Sequence, residues 1–325
     1  MIPEVMEAVK RFYARGSDEA MRLAEAMKTY SSAEVEQWLA GLLDLGEGRI
    51  AHMDATGIDA QILLLSIQGV QLFDAAEATE LAQLANDRLA NAMSAHPGRL
   101  YGLAAIAPQD PLGAAREIER AVGKLGLKGA MVNGHTAGER LDHIKFRPIF
   151  EALNSLDVPL YLHPREAPID ALNSYLPYAL EGPVWGYASE TGLHALRLIF
   201  SGLFDEFPNL KIALGHCGEG IPYYLHRLDL RAAVEGTGVR GRANLKLKPS
   251  EYFKRNFVVT TSGMNSIPAI KYCQEVLGTD SVLFAVDYPF EYNEAAVAAI
   301  DGAGFSGETL EMFYQTNAER IFNLD

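Results

Sequence analysis

From residue 59 onward, hydrophobic positions fall into two alternating patterns. Short unbroken apolar runs, bounded by glycine, proline or charge, give way to longer segments in which apolar residues recur every three or four positions. The first pattern reads as strands buried on both faces, the second as helices packed by one face. Strands are expected at 61–65, 102–107, 129–132, 159–162, 211–214, 257–260 and 282–286. Helices are expected at 76–95, 111–125, 146–156, 190–200, 220–232, 267–277 and from 294 to the end. Upstream of 59 the pattern is helical throughout. Val5, Met6, Val9 and Phe12 share one face, Val35, Trp38, Leu39 and Leu42 another, and a segment from Arg49 stops at Gly57. Pro3 suits a first helical turn, where its missing N–H costs nothing, and Ser32 is the expected N-cap of the helix that follows it.

Regular strand–helix alternation predicts a parallel sheet with helices outside. No Gly-x-Gly-x-x-Gly turn follows any of the runs, which argues against a dinucleotide-binding fold. Polar residues gather at the C-terminal ends of several strands, the arrangement of a TIM barrel. The expected fold class is therefore α/β: one domain over 1–325, a distorted (β/α)8 barrel. Its body spans 59–325, and 1–58 is an extra N-terminal helical insertion. The pattern supplies seven strands where a closed ring needs eight. The first strand is missing from the sequence, and a ring without it exposes two unpaired edges.

Net charge is −14 with a pI near 5.1. That surface repels phosphate backbones, so nucleic acid is not an expected partner. Cys217 and Cys273 are too few for a disulfide framework, which suits a cytoplasmic protein. No apolar run reaches the ~20 residues of a membrane span.

Three of the expected strands end in a group able to do chemistry: His163 after 159–162, His216 after 211–214, and Asp287 after 282–286. Any one of them alone reads best as a cap. Three on one face of an alternating fold read as a site, and imidazole plus carboxylate suits Zn²⁺, Mn²⁺ or Fe²⁺. Glu219 is placed either to orient the His216 ring or simply to sit in the first turn of the next helix. Arg227 and Arg165 are candidates to grip a carboxylate by a bidentate fork. Trp185 and Tyr187, within 166–189, either cover an aromatic ligand or close that loop on the body. His194 reads as packed in a helix, and His135 as a weak site candidate.

Several short motifs occur together: Leu162-His163-Pro164-Arg165, Gly182-Pro183-Val184-Trp185 with Glu190-Thr191, Ser201-Gly202-Leu203-Phe204-Asp205, Leu214-Gly215-His216-Cys217-Gly218-Glu219, Thr261-Ser262-Gly263 and Asp287-Tyr288-Pro289-Phe290. In combination the sequence resembles the amidohydrolase-2 family, and within it the non-oxidative aromatic-acid decarboxylases. The resemblance implies one divalent ion, Mn²⁺ foremost with Zn²⁺ or Mg²⁺ as alternatives, held by His163 and Asp287. It implies an essential His216 supported by Glu219, with Asp287 as proton donor. It puts Arg227 on the substrate, with Phe290, Trp185 and Ser66 shaping the ring pocket. The implied reaction removes CO₂ from an ortho-hydroxybenzoate of the 5-carboxyvanillate or γ-resorcylate kind, by protonation of the ring carbon. A hydrolase or hydratase of the superfamily is the alternative, followed by a binding protein without turnover. The family also draws a metal-binding Glu from its first strand, and this sequence starts past that point. A start shortened by a few residues is the preferred reading over a reduced metal site or a non-catalytic member. Small aromatic carboxylates are the implied ligands, and a homodimer or homotetramer the implied assembly.

Overall fold

The computed structural model describes residues 1–27, 31–66, 69–235, 242–305 and 307–324. Eight strand segments run in one direction: β1 (Gln61–Leu63), β2 (Leu100–Gly102), β3 (Ala104–Ala105), β4 (Ala130–Asn133), β5 (Leu160–His163), β6 (Ile212–Leu214), β7 (Phe257–Thr260) and β8 (Val282–Leu283). All the pairings are parallel, β1 with β2 and then β3 through β8 in sequence order. Segments β2 and β3 are one extended stretch interrupted at Leu103, whose N–H still reaches the Leu63 carbonyl at 2.9 Å. Seven stretches of extended chain therefore follow one another around the sheet, a TIM-barrel-like α/β arrangement. Among the described residues β8 and β1 are not paired.

The alternation of side chains explains why the strand sequences are apolar without a break. Every residue of β4, β6 and β7 is buried, because one face meets the helices and the other the interior. Ala104, Val132, Leu160, Leu162, Ile212, Leu214, Phe257 and Val259 pack outward against helical side chains such as Ile118, Phe150 and Leu198. Ala105, Met131, Tyr161, Ala213 and Val258, neighbours in register, point inward. Val5, Ala8 and Phe12 of the helix Pro3–Ala14 join that inner cluster with Ile2 just before it, as do Ile321 and Phe322.

Element ends depart from the sequence expectation where side chains replace strand neighbours. The strand expected at 102–107 loses β1 as a partner after Leu103. There Asn86, on the helix Ala75–Ala95, accepts from the Ala105 N–H at 2.8 Å and donates to the Ala105 carbonyl at 2.9 Å. Its amide does the work of a peptide group. The strand expected at 282–286 stops at Leu283, since Thr261 Oγ1 takes both backbone groups of Ala285, at 2.9 and 2.8 Å. The cap of the helix Ser32–Leu43 is Ser31, not Ser32, because only Ser31 has a glutamate three residues on to close a capping box with Glu34. The helix expected at 190–200 begins earlier, as Gly186–Phe200. The C-terminal region divides into Asn293–Asp301, Gly307–Glu311, a wide turn Met312–Thr316, and Asn317–Phe322.

Candidate active site

Strand β6 ends at Leu214, and the chain then makes a left-handed turn. His216, Cys217, Gly218, Glu219 and Gly220 all have positive φ, between 49° and 76°. L-residues adopt this conformation at a cost of about 1–2 kcal/mol each, and such strain gathers at functional sites. One full turn places residues three apart on the same side. His216 Nδ1 and Glu219 Oε1 accordingly meet at 2.8 Å, with the Glu219 side chain almost wholly buried. A carboxylate oxygen only accepts, so Nδ1 carries a proton.

The other ring nitrogen, His216 Nε2, faces Asp287 Oδ2 at 3.8 Å. This is an ion-pair separation, longer than a hydrogen bond. Burial pushes the His216 pKa down, but Asp287 and Glu219 together overcome it and raise the value to about 10. The ring thus lies between two carboxyl groups, both of which favour its protonated form. Asp287 also has positive φ, at 79°, as has Ser262, at 26°.

His163 ends β5. Its Nδ1 lies 2.9 Å from the Pro164 carbonyl, which can only accept, so Nδ1 holds the hydrogen and the Nε2 lone pair is left available. Burial pushes its pKa down to about 4, against the pull of Asp287, and the nearby His216 adds to the lowering. A neutral imidazole with a free lone pair beside a carboxylate is a donor set suited to a divalent cation. Among the described residues no three His, Cys, Asp or Glu side chains converge closely enough to hold a cation unaided. Below this row, the Tyr161 hydroxyl contacts Thr260 Oγ1 at 3.0 Å, and its burial raises its pKa to about 12.

The three strand-end residues and Glu219 therefore share one electrostatic cluster. The remaining predicted residues distribute differently. Ser66 is buried, and its Oγ has no hydrogen-bond partner among the described residues. Phe290 follows the Asp287 turn and meets Trp38 edge-on, 5.4 Å between centroids. Trp185 is more than half exposed at the start of Gly186–Phe200. Arg227 lies exposed on the helix Ile221–Glu235. His194 is packed as expected, accepting from the Leu141 N–H at 2.9 Å. His135 is occupied structurally: Nε2 donates to the Glu166 carbonyl at 3.2 Å and Nδ1 accepts from the Gly138 N–H at 3.1 Å. Arg165 is buried and donates to the His135 carbonyl at 3.1 Å.

Two site residues escaped the sequence reading. Asn133 is the register partner of His163, fully buried, with no partner for Oδ1 among the described residues. Its signal was available, since it ends β4 as His163 ends β5. Arg49, whose guanidinium lies over the ring of Tyr288, the residue after Asp287, gave no signal beyond its place in a helix.

Comparison with known proteins bears on the family. The sequence profile of an amidohydrolase family matches residues 41–324. The chain is similar to a γ-resorcylate decarboxylase from Polaromonas sp. (strain JS666), 41% identical over 293 residues that cover 87% of this chain and 89% of that protein. It is also similar to a 5-carboxyvanillate decarboxylase from Novosphingobium aromaticivorans, solved with manganese and 4-hydroxy-3-methoxy-5-nitrobenzoic acid. That structure superposes with a TM-score of 0.94 at 44% identity, covering 99% of this chain and 93% of the other. A dihydroxybenzoic acid decarboxylase from Polaromonas sp. JS666, with manganese and the inhibitor 2-nitroresorcinol, gives 0.86 at 37% identity and 94% of both chains. With the family profile spanning most of its length and relatives of this identity over nearly all of it, the chain belongs to the amidohydrolase-2 family.

Proposed function

We propose that this protein is a metal-dependent, non-oxidative decarboxylase of an ortho-hydroxybenzoate, of the γ-resorcylate or 5-carboxyvanillate kind. The observation that carries the reading is the His216 ring set between Glu219 Oε1 at 2.8 Å and Asp287 Oδ2 at 3.8 Å, beside His163 with its Nδ1 on the Pro164 carbonyl. Direct loss of CO₂ from a benzoate would leave an aryl carbanion with nothing to delocalise it. Protonating the carboxyl-bearing ring carbon first removes that difficulty. An ortho hydroxyl makes that carbon electron-rich, and the dearomatised ring then accepts the C–C bonding pair as CO₂ departs.

Asp287 takes a proton from His216 and passes it from its carboxyl to the ring carbon. His216 Nε2, 3.8 Å away, is placed to return a proton to Asp287 Oδ2. Glu219 fixes the His216 ring plane and tautomer through Nδ1 and stabilises the imidazolium. Arg227, Phe290, Trp185 and Ser66 complete the proposed substrate contacts. A bound divalent cation, Mn²⁺ by preference, would be held by His163 and Asp287 and would supply Lewis-acid stabilisation of the phenolate and carboxylate oxygens.

The same reading takes the chain as one domain, a (β/α)8 barrel with the helices up to Glu47–Thr56 as an N-terminal insertion. It includes a cytoplasmic setting, supported by two free, buried cysteines and by the lack, among the described residues, of any helix long and apolar enough to cross a membrane. It includes a homodimer or homotetramer, supported by exposed Tyr178, Val184, Trp185, Tyr223 and Tyr224.

Incubation with Mn²⁺ and a panel of ortho-hydroxybenzoates, measuring CO₂ and phenol together, tests the proposal. Equal amounts of the two products are expected from at least one member. Consumption of a lactone or amide without CO₂ would replace it with the hydrolase reading.

A further inference from the structure

Arg49, on the helix Glu47–Thr56, is 4% exposed. Its hydrogen bonds go to neutral oxygens: Nη2 to the Gly41 carbonyl at 2.6 Å, Nε to the Asp44 carbonyl at 2.7 Å, and Nη1 to Gln61 Oε1 at 2.9 Å. Among the described residues no carboxylate lies at hydrogen-bond distance from it; burying a guanidinium that way is costly, and joining a helix to a strand does not require a charge. The fourth contact distinguishes it. Arg49 Cζ lies 5.0 Å from the centroid of the Tyr288 ring, a cation–π arrangement, and Tyr288 is the residue after Asp287.

The rest of that turn is gripped from the same side. The His52 ring lies 4.9 Å from Tyr288, and Trp38 meets Phe290. Gly41 approaches so closely that a Cβ there would sit 2.7 Å from Pro289 Cβ. Asn293 Nδ2 donates to Thr56 Oγ1 at 3.0 Å. Asp287 itself has φ 79°, and its carbonyl accepts from the N–H groups of Phe290 at 2.9 Å and Glu291 at 3.2 Å. A non-glycine residue keeps such a conformation only where its surroundings over-determine it.

We propose that Arg49 is a positioning residue for Asp287, fixing the Tyr288 ring and through it the direction of the carboxyl group one residue earlier. It touches no reacting atom. The inference rests on the reading of Asp287 as proton donor, and it assigns the helices around 32–56 a part in the chemistry although they bring no reacting group to it.

The test is steady-state kinetics of the Mn²⁺-loaded enzyme, normalised to the folded fraction by near-ultraviolet circular dichroism. The variants are Arg49→Gln, Arg49→Lys, Tyr288→Leu, the Arg49→Gln/Tyr288→Leu double variant and Asp287→Asn. Arg49→Gln is expected to lower kcat at least about tenfold with KM within about twofold, and Arg49→Lys to recover part of the loss. In the Tyr288→Leu background the same change should cost less than about threefold, because the ring through which it acts is gone. An unchanged kcat in Arg49→Gln, or an equal loss in both backgrounds, overturns the proposal and leaves the donor assignment standing if Asp287→Asn is inactive. An active Asp287→Asn overturns both. Should Arg49→Gln fail to fold, Tyr288→Leu with wild-type kcat overturns the proposal by itself.

Discussion

Glu219 and Asp287 outweigh burial and push the His216 pKa up, so its two neighbours fail differently when replaced. Glu219→Gln keeps a hydrogen-bonding oxygen but loses the charge. It is expected to lower kcat about 10–100-fold with KM little changed, read by steady-state kinetics. Asp287→Asn removes the transferable proton and should abolish CO₂ release while the circular dichroism spectrum stays native. Away from the site, burial pushes His135 and His194 down to about 3. Their unfolded value is near 6.5, so the unfolded chain takes up protons first as pH falls. The contribution of these two rings to stability should therefore be constant above about pH 6.5 and drop toward pH 3, by about 1.4 kcal/mol per pH unit for each ring. Urea titrations between pH 7 and 4 measure this slope, and His194→Gln should remove one proton from it. His163, His216 and Asp287 were legible because each follows an apolar run, His216 after one intervening glycine. Asn133 follows the same rule but carries no charge, and Arg49 sits where helix arginines are ordinarily solvated.

Short strands leave much of the sheet's hydrogen bonding to side chains. Asn86 completes the ladder at Ala105, and Thr261 does so at Ala285. Replacing Asn86 by Leu strands a buried N–H and carbonyl and should cost about 1–3 kcal/mol, seen as a lower urea midpoint with an unchanged m-value. The apolar runs revealed where strands lie but not where they stop, because a run continues apolar after its neighbour has turned away. Capping was read one residue late: Ser32 was expected, and the spacing to Glu34 selects Ser31. The left-handed turn at 216–220 was not legible. Its two glycines signalled a turn, but nothing in the residues His216, Cys217 and Glu219 announces positive φ.

For the molecule as a whole, the proposed cation ties activity to binding. A chelator should remove turnover, added Mn²⁺ should restore it, and Mn²⁺ should raise the thermal midpoint of the stripped protein by preferential binding to the folded state. Light scattering at micromolar concentration is expected to give at least a dimer. Element types, the parallel alternation and the chemical identity of three strand ends followed from the sequence, because local periodicity dictates which face of a segment must leave water. The distances at which those ends meet, the handedness of the backbone beneath His216, and the seating of Arg49 on a ring 239 positions along the chain came from the tertiary structure alone. Contacts between such distant segments depend on how the whole sheet curves and packs, and no local pattern encodes that.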